Sequence, residues 1–169
     1  MARWVGVMVR GRWLPEEELQ QRLDSLAVFM DLWKLGAFFE REDNPKYAMA
    51  AYSSALAFDS TLTFGNYYGP WFWNALCWTG RRTGHAAEVL PACERAVALT
   101  EDFQWWVHDS RGIARALTGD VQGAIEDFEG SVGKWSDERR SQQREGWLDA
   151  LRRGENPFTP EVLRALPRK

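Results

Sequence analysis

Residues 32–39 read Leu-Trp-Lys-Leu-Gly-Ala-Phe-Phe, and residues 48–55 read Ala-Met-Ala-Ala-Tyr-Ser-Ser-Ala. Each stretch sets a small residue, Gly36 or Ala48, among large apolar ones at helical spacing, and the two small residues stand twelve positions apart. Two antiparallel helices approach closely only where neither carries a bulky side chain, so a small residue on each marks their contact point. The same interval separates Cys77 from Val89 and Gly112 from Ala124. Three helical hairpins with one registry follow from that constancy, each holding an aromatic or thiol residue one turn beyond the second contact: Tyr52, Cys93 and Phe128.

Turn chemistry falls at the matching corners. Asn44-Pro45 supplies a capping residue and a first-turn proline for the second helix of the first hairpin. Thr83-Gly84 and Thr118-Gly119-Asp120 break the chain at the same place in the other two. The segment around Thr63–Gly69 reads as extra length in the first connection, which makes the first repeat interval 41 residues against 35 for the second. Pro91 lies inside the second helix of the middle hairpin, where the missing N–H and the crowded carbonyl predict a bend near Ala87. Arg111 falls on a core position and needs a carboxylate, Glu94 first and Asp127 second.

The order Leu32-x2-Leu35-Gly36-x2-Phe39 followed by Ala48-x3-Tyr52 resembles the tetratricopeptide repeat, with a partial match at Trp73-x2-Leu76-Cys77 and a good one from Thr118 through Phe128. The resemblance covers residues 29–138 and implies an all-α, right-handed helical solenoid of about three helix-turn-helix repeats, at 29–62, 70–103 and 105–138. Around it the sequence predicts an extended segment over 1–13, a helical extension over 14–28 opened by Pro15 and three glutamates, and capping helices over 139–169. Gly36, Ala48, Tyr52, Cys77, Cys93, Arg111, Gly112, Ala124 and Phe128 are the expected structural residues.

In that family the first helices of successive repeats line a concave groove that takes peptides or partner helices. By registry the resemblance places Trp33, Lys34 and Arg41, then Asn74, Trp78, Arg81 and Arg82, then Trp106, Asp109 and Ser110 on this surface. Aromatic residues and arginines are the types most enriched at binding hot spots, so an aromatic, locally basic groove suits an acidic or aromatic peptide or helix. The same tryptophans also fit core packing, and Arg81-Arg82 also fits a solvated helix end. The implied role is a protein-interaction adaptor or scaffold, as a subunit of a larger complex, with no catalysis.

Bulk properties exclude several alternatives. With 45% hydrophobic and 27% charged residues the chain has the composition of a folded domain. A net charge of -3 offers no basic footprint for nucleic acid. The run Val5–Val9 is too short for a membrane span, and two cysteines make no disulfide framework, which predicts reduced thiols in a cytoplasmic setting. His85, Cys77 and Cys93 lack metal-site spacing and Cys93 with His108 lacks an orienting third group, so no cofactor, metal or catalytic residue is expected. The ten tryptophans are the compositional outlier. Val5, Val7 and Val9 alternate with Trp4, Gly6 and Met8 at the period of a strand, and a lone strand would seek a partner's sheet edge or, with Arg3, Arg10 and Arg12, a membrane surface. That segment carries the alternative reading of a regulatory or targeting domain attached to an enzyme partner.

Overall fold

The computed structural model describes residues 6–9, 12–58, 65–100 and 104–166. Two short strands, β1 (Gly6–Val9) and β2 (Arg12–Pro15), form an antiparallel hairpin with Val7 opposite Leu14 and Met8 opposite Trp13. Eight helices follow: α1 (Glu16–Arg41), α2 (Pro45–Phe58), α3 (Gly65–Arg82), α4 (Ala86–Ala98), α5 (Trp106–Thr118), α6 (Val121–Ser131), α7 (Glu138–Arg152) and α8 (Pro160–Ala165). Pairs α1–α2, α3–α4 and α5–α6 pack as hairpins, each hairpin packs on the next, and α7 covers α6 while α8 reaches back to α3. The architecture is an all-α helical repeat solenoid with an N-terminal β-hairpin.

The three hairpins close at equivalent points. A Cβ on Gly36 would run into the Tyr52 ring, and one on Gly112 would meet Phe128 at 3.2 Å. In the middle hairpin the corresponding residues, Cys77 and Cys93, are joined by a disulfide with the same sequence separation of 16. The expectation of reduced thiols is therefore corrected. The registry that puts a glycine under an aromatic ring in the outer hairpins puts two sulfurs within bonding distance here. With it goes the argument for a reducing compartment. Both cysteines occupy close-contact places of one hairpin, so registry makes them neighbours; what spacing leaves open is whether the two thiols are reduced or bonded. Val89, expected to oppose Cys77, instead packs so tightly on Gly80 that a Cβ there would overlap it.

Caps follow the turn signals. Gly84 and Gly119 take φ of +84° and +91°, the left-handed region open to glycine. Asp120, Asp137 and Thr159 cap α6, α7 and α8, accepting from Gly123 N, Arg140 N and Val162 N.

Three local expectations change. The Thr63–Gly69 stretch is not wholly a connection, since Gly65 onward belongs to α3 and lengthens that helix. The strand over Gly6–Val9 is not alone, because β2 satisfies one of its edges; Arg3, Trp4, Val5 and Arg10 lie outside the described residues. Leu14 and Pro15 belong to β2, so the helix opens at Glu16 and runs unbroken into the first repeat. α4 runs from Ala86 to Ala98 with Pro91 inside it, and Pro91 and Ala87 both lie on its exposed side, where water can take the freed carbonyl.

Two buried clusters fill the solenoid. One joins Phe29, Tyr52, Leu56, Leu76, Val89 and the disulfide across the first two hairpins. The other joins Trp78, Ile113, Phe128, Trp147, Leu151, Phe158, Leu163 and Leu166 across α3 and α5 through α8.

Candidate functional site

Arg111 is ion-paired as its core position demands. Its Nη1 donates to Glu94 at 2.8 Å, while Nε and Nη2 grip Asp127 at 2.9 and 2.7 Å. Both expected carboxylates are used, and the buried Asp127 takes the forked pair. Arg115 joins through Glu94 and Asp127, and His108 Nδ1 lies 3.1 Å from Asp127. Burial alone would raise the Asp127 carboxyl, but hydrogen bonds from His108 and Arg111 and the charges of both arginines hold it below the ordinary range. This network locks α4, α5 and α6 together.

The inner faces of α3 and α5 carry the residues that registry placed in the groove, and most of them are covered. Asn74, Trp78, Arg81, Asp109 and Ser110 are buried. Asp109 accepts from Arg144 Nε and Nη2 of α7, both at 3.0 Å. Trp78 sits in the cluster that includes Leu163 and Leu166, and Arg82 Nε donates to the Leu163 carbonyl at 3.5 Å. Trp33 is half-buried against Tyr52, Phe72 and Phe29, with ring centroids at 4.5, 4.6 and 6.4 Å. Lys34 is exposed and paired with Asp31, and Arg41 is exposed.

What stays at the surface is a ribbon of tryptophans. Trp71 lies 5.6 Å from Trp106, Trp106 lies 6.0 Å from Trp105, and Trp105 meets Trp135 edge-on at 4.3 Å. Trp71 is exposed and the other three are half-buried. The guanidinium groups of Arg140 and Arg144 lie over Trp135 at 5.3 and 4.4 Å. Both arginines also line a recess of about 620 Å³ together with Arg139, Asp137, Gln142, Gln143 and Ala165.

Behind the ribbon the polar balance is lopsided. Arg81 is fully buried over the Trp78 ring at 3.8 Å, and its three side-chain nitrogens meet no acceptor among the described residues. The indole nitrogens of Trp106 and Trp135 are likewise buried without an acceptor. Burial pushes the Arg81 guanidinium down to about 9; Asp109 pulls it up, while Arg82 and Arg144 push it further down. Donors outnumber acceptors here, and buried donors left unmatched are costly.

A solved structure is similar in fold. The first TPR domain of the human RPAP3 protein, determined by NMR, superposes with a TM-score of 0.56 at 17% identity, covering 75% of this chain and 96% of that one. The fold is tetratricopeptide-like. No family model matches the chain and no curated protein matches its sequence.

Within the tetratricopeptide-like solenoid, registry located the inner faces of the first helices but not what lies on them. Trp78 is covered by Leu163 and Leu166 and Asp109 by Arg144 of α7, while Asn74 and Arg81 are buried as well. Trp135, Arg140 and Arg144 went unselected. Arg144 carried a readable signal, standing three and four positions before Trp147 and Leu148 on the apolar stripe of α7, the same anomaly that marks Arg111. Trp135, in a loop, carried none. Among the described residues no group of His, Cys, Asp or Glu is placed to hold a metal ion, and no helix is long and apolar enough to cross a membrane.

Proposed function

We propose that this chain is a non-catalytic protein-interaction adaptor that binds an acidic, aromatic-bearing peptide or helix along the Trp71–Trp106–Trp105–Trp135 ribbon and into the arginine-lined recess of α7. The observation that carries this reading is the adjoining of a partly exposed tryptophan row to the exposed Arg139 and Arg140 at the rim of the recess. Indoles offer large rigid contact area and guanidinium groups fork onto carboxylates. The surface differs from the one registry implied: Trp106 remains in it, whereas Trp33 and Trp78 serve the core.

Calorimetry against peptides bearing Glu or Asp beside Phe or Trp tests it, with the same peptides carrying Lys in place of the acids as control. Binding to the acidic set should weaken about tenfold or more in Trp106→Ala and in Arg140→Glu, the loss typical of interface anchors. Equal affinity for both sets, or indifference to both substitutions, would remove the reading.

A further inference from the structure

Helix α1 is apolar on two sides; one packs on the repeats, β1 and β2 also touch the helix, and on the other side Val28, Leu35 and Phe38 stay exposed among the described residues. Phe29, Leu32, Trp33, Gly36 and Phe39 pack inward on the first two hairpins. On the other side Val28, Leu35 and Phe38 are 42%, 44% and 46% exposed, with Asp24, Ala27, Asp31 and Lys34 along the same face. Repeat registry shows what such a face is for. The residues equivalent to Phe38 are Thr79 and Ala114, 2% and 0% exposed, and those equivalent to Val28 are the buried Gly69 and Gln104. Leu35 corresponds to the buried Leu76 and to Arg111 of the ion cluster. In the second and third hairpins Thr79 reaches Glu40 and Arg111 reaches Glu94, each on the preceding hairpin. In the first hairpin these positions face out. A helix apolar on both sides reads as one that is covered on both.

The charges on this face select the occupant. Asp31 and Lys34 stand at its centre, 3.3 Å apart, between Val28 on one side and Leu35 and Phe38 on the other. Turned end for end, the face presents Lys34 where Asp31 stood and an apolar end where an apolar end stood. It is therefore its own complement under a two-fold axis. The far end of the solenoid does not offer an apolar surface for head-to-tail stacking, since α7 turns Glu138, Arg139, Arg140, Gln142, Gln143, Glu145 and Asp149 outward. Pairing through α1 closes at two copies rather than growing into a filament.

We propose that two copies of this chain pair through α1, antiparallel about a two-fold axis near Trp33, with Asp31 of each copy against Lys34 of the other and Val28, Leu35 and Phe38 buried between them. This interface is separate from the tryptophan ribbon and does not depend on the adaptor reading.

Sedimentation equilibrium of the full chain across the micromolar range tests it, with helical circular dichroism as a check on folding. The expected result is a dimer. Leu35→Asp with Phe38→Asp should raise the dimer dissociation constant about a hundredfold, as expected for charges placed in an apolar contact. Asp31→Lys should raise it about tenfold by setting like charges opposed at two symmetric places. Asp31→Lys with Lys34→Asp should restore it. A monomer at every concentration overturns the proposal, as does a dimer indifferent to Leu35→Asp with Phe38→Asp. If that variant fails to fold, the charge pair decides: a double reversal that stays as weak as the single one also overturns it.

Discussion

The two ends of this solenoid begin from the same problem and meet it differently. At the C-terminal end the last hairpin would leave Ile113, Ala124 and Phe128 open, and α7 and α8 cover them with Trp147, Leu148, Leu151, Phe158 and Leu163. At the N-terminal end α1 is the first helix of the first hairpin, and Val28, Leu35 and Phe38 face outward. A repeat propagates one packing face in each direction, so an unmodified terminal repeat exposes whatever the inner repeats bury. Covering one end takes a segment with its own charge problem: Arg144 enters the cap and needs the buried Asp109 beneath it. Leaving the other end open avoids that cost and presents a surface.

If this contrast is real, the ends should differ sharply in how much a substitution costs. Arg144→Leu removes the partner of a carboxylate that stays buried, and should destabilise the chain by about 3–5 kcal/mol in chemical unfolding. A smaller loss would mean that the cap is less closely packed than its geometry. Leu151→Ala, at a fully enclosed position of the same end, should cost about 3 kcal/mol through lost burial and the remaining cavity. Between the ends, reduction of the Cys77–Cys93 disulfide should lower stability by about 3 kcal/mol, the value for a loop of this length, read as a drop in melting temperature with reductant. No change would mean that the middle hairpin holds by packing alone.

The ion cluster sets a pH signature away from both ends. Asp127 is held below its ordinary value in the folded chain, while the unfolded carboxyl titrates near about 3.9. Its contribution is therefore full above about pH 4 and is lost as pH falls through the lower folded value. Asp127→Asn should flatten the acid limb of stability against pH, whereas a substitution at the exposed end should leave it unaltered. The smallest effect is expected at that exposed end. Leu35→Ala should change the stability of the separated monomer by less than about 0.5 kcal/mol, since the side chain has little to lose.

Much of the fold was legible because it rests on local spacing. The twelve-residue interval, the turn glycines and the capping residues Asp120 and Thr159 are all set within a few turns of chain. The ion pairs of Arg111 were legible for a related reason: a charge on an apolar stripe demands a partner, and few were within reach. The candidate site was less so. Registry put Trp33, Trp78 and Trp106 on the first helices of successive hairpins but at different offsets from the contact residue, three before Gly36, one after Cys77 and six before Gly112, and the three meet different neighbours. Trp33 meets Tyr52 and Phe72, Trp78 meets the cap, and Trp106 meets Trp71 and Trp105. Nothing local says which of them is covered, because all three are large aromatic residues on apolar stripes.

The sequence by itself determined the helical hairpins, their number and their common register, since period, small-residue contacts and turn chemistry act over short distances. Only the tertiary structure decided which faces are occupied. Whether α8 lies across α3, and whether the face carrying Leu35 and Phe38 has a neighbour, depend on segments far apart in the chain meeting in space. Burial is a property of the meeting rather than of the residue.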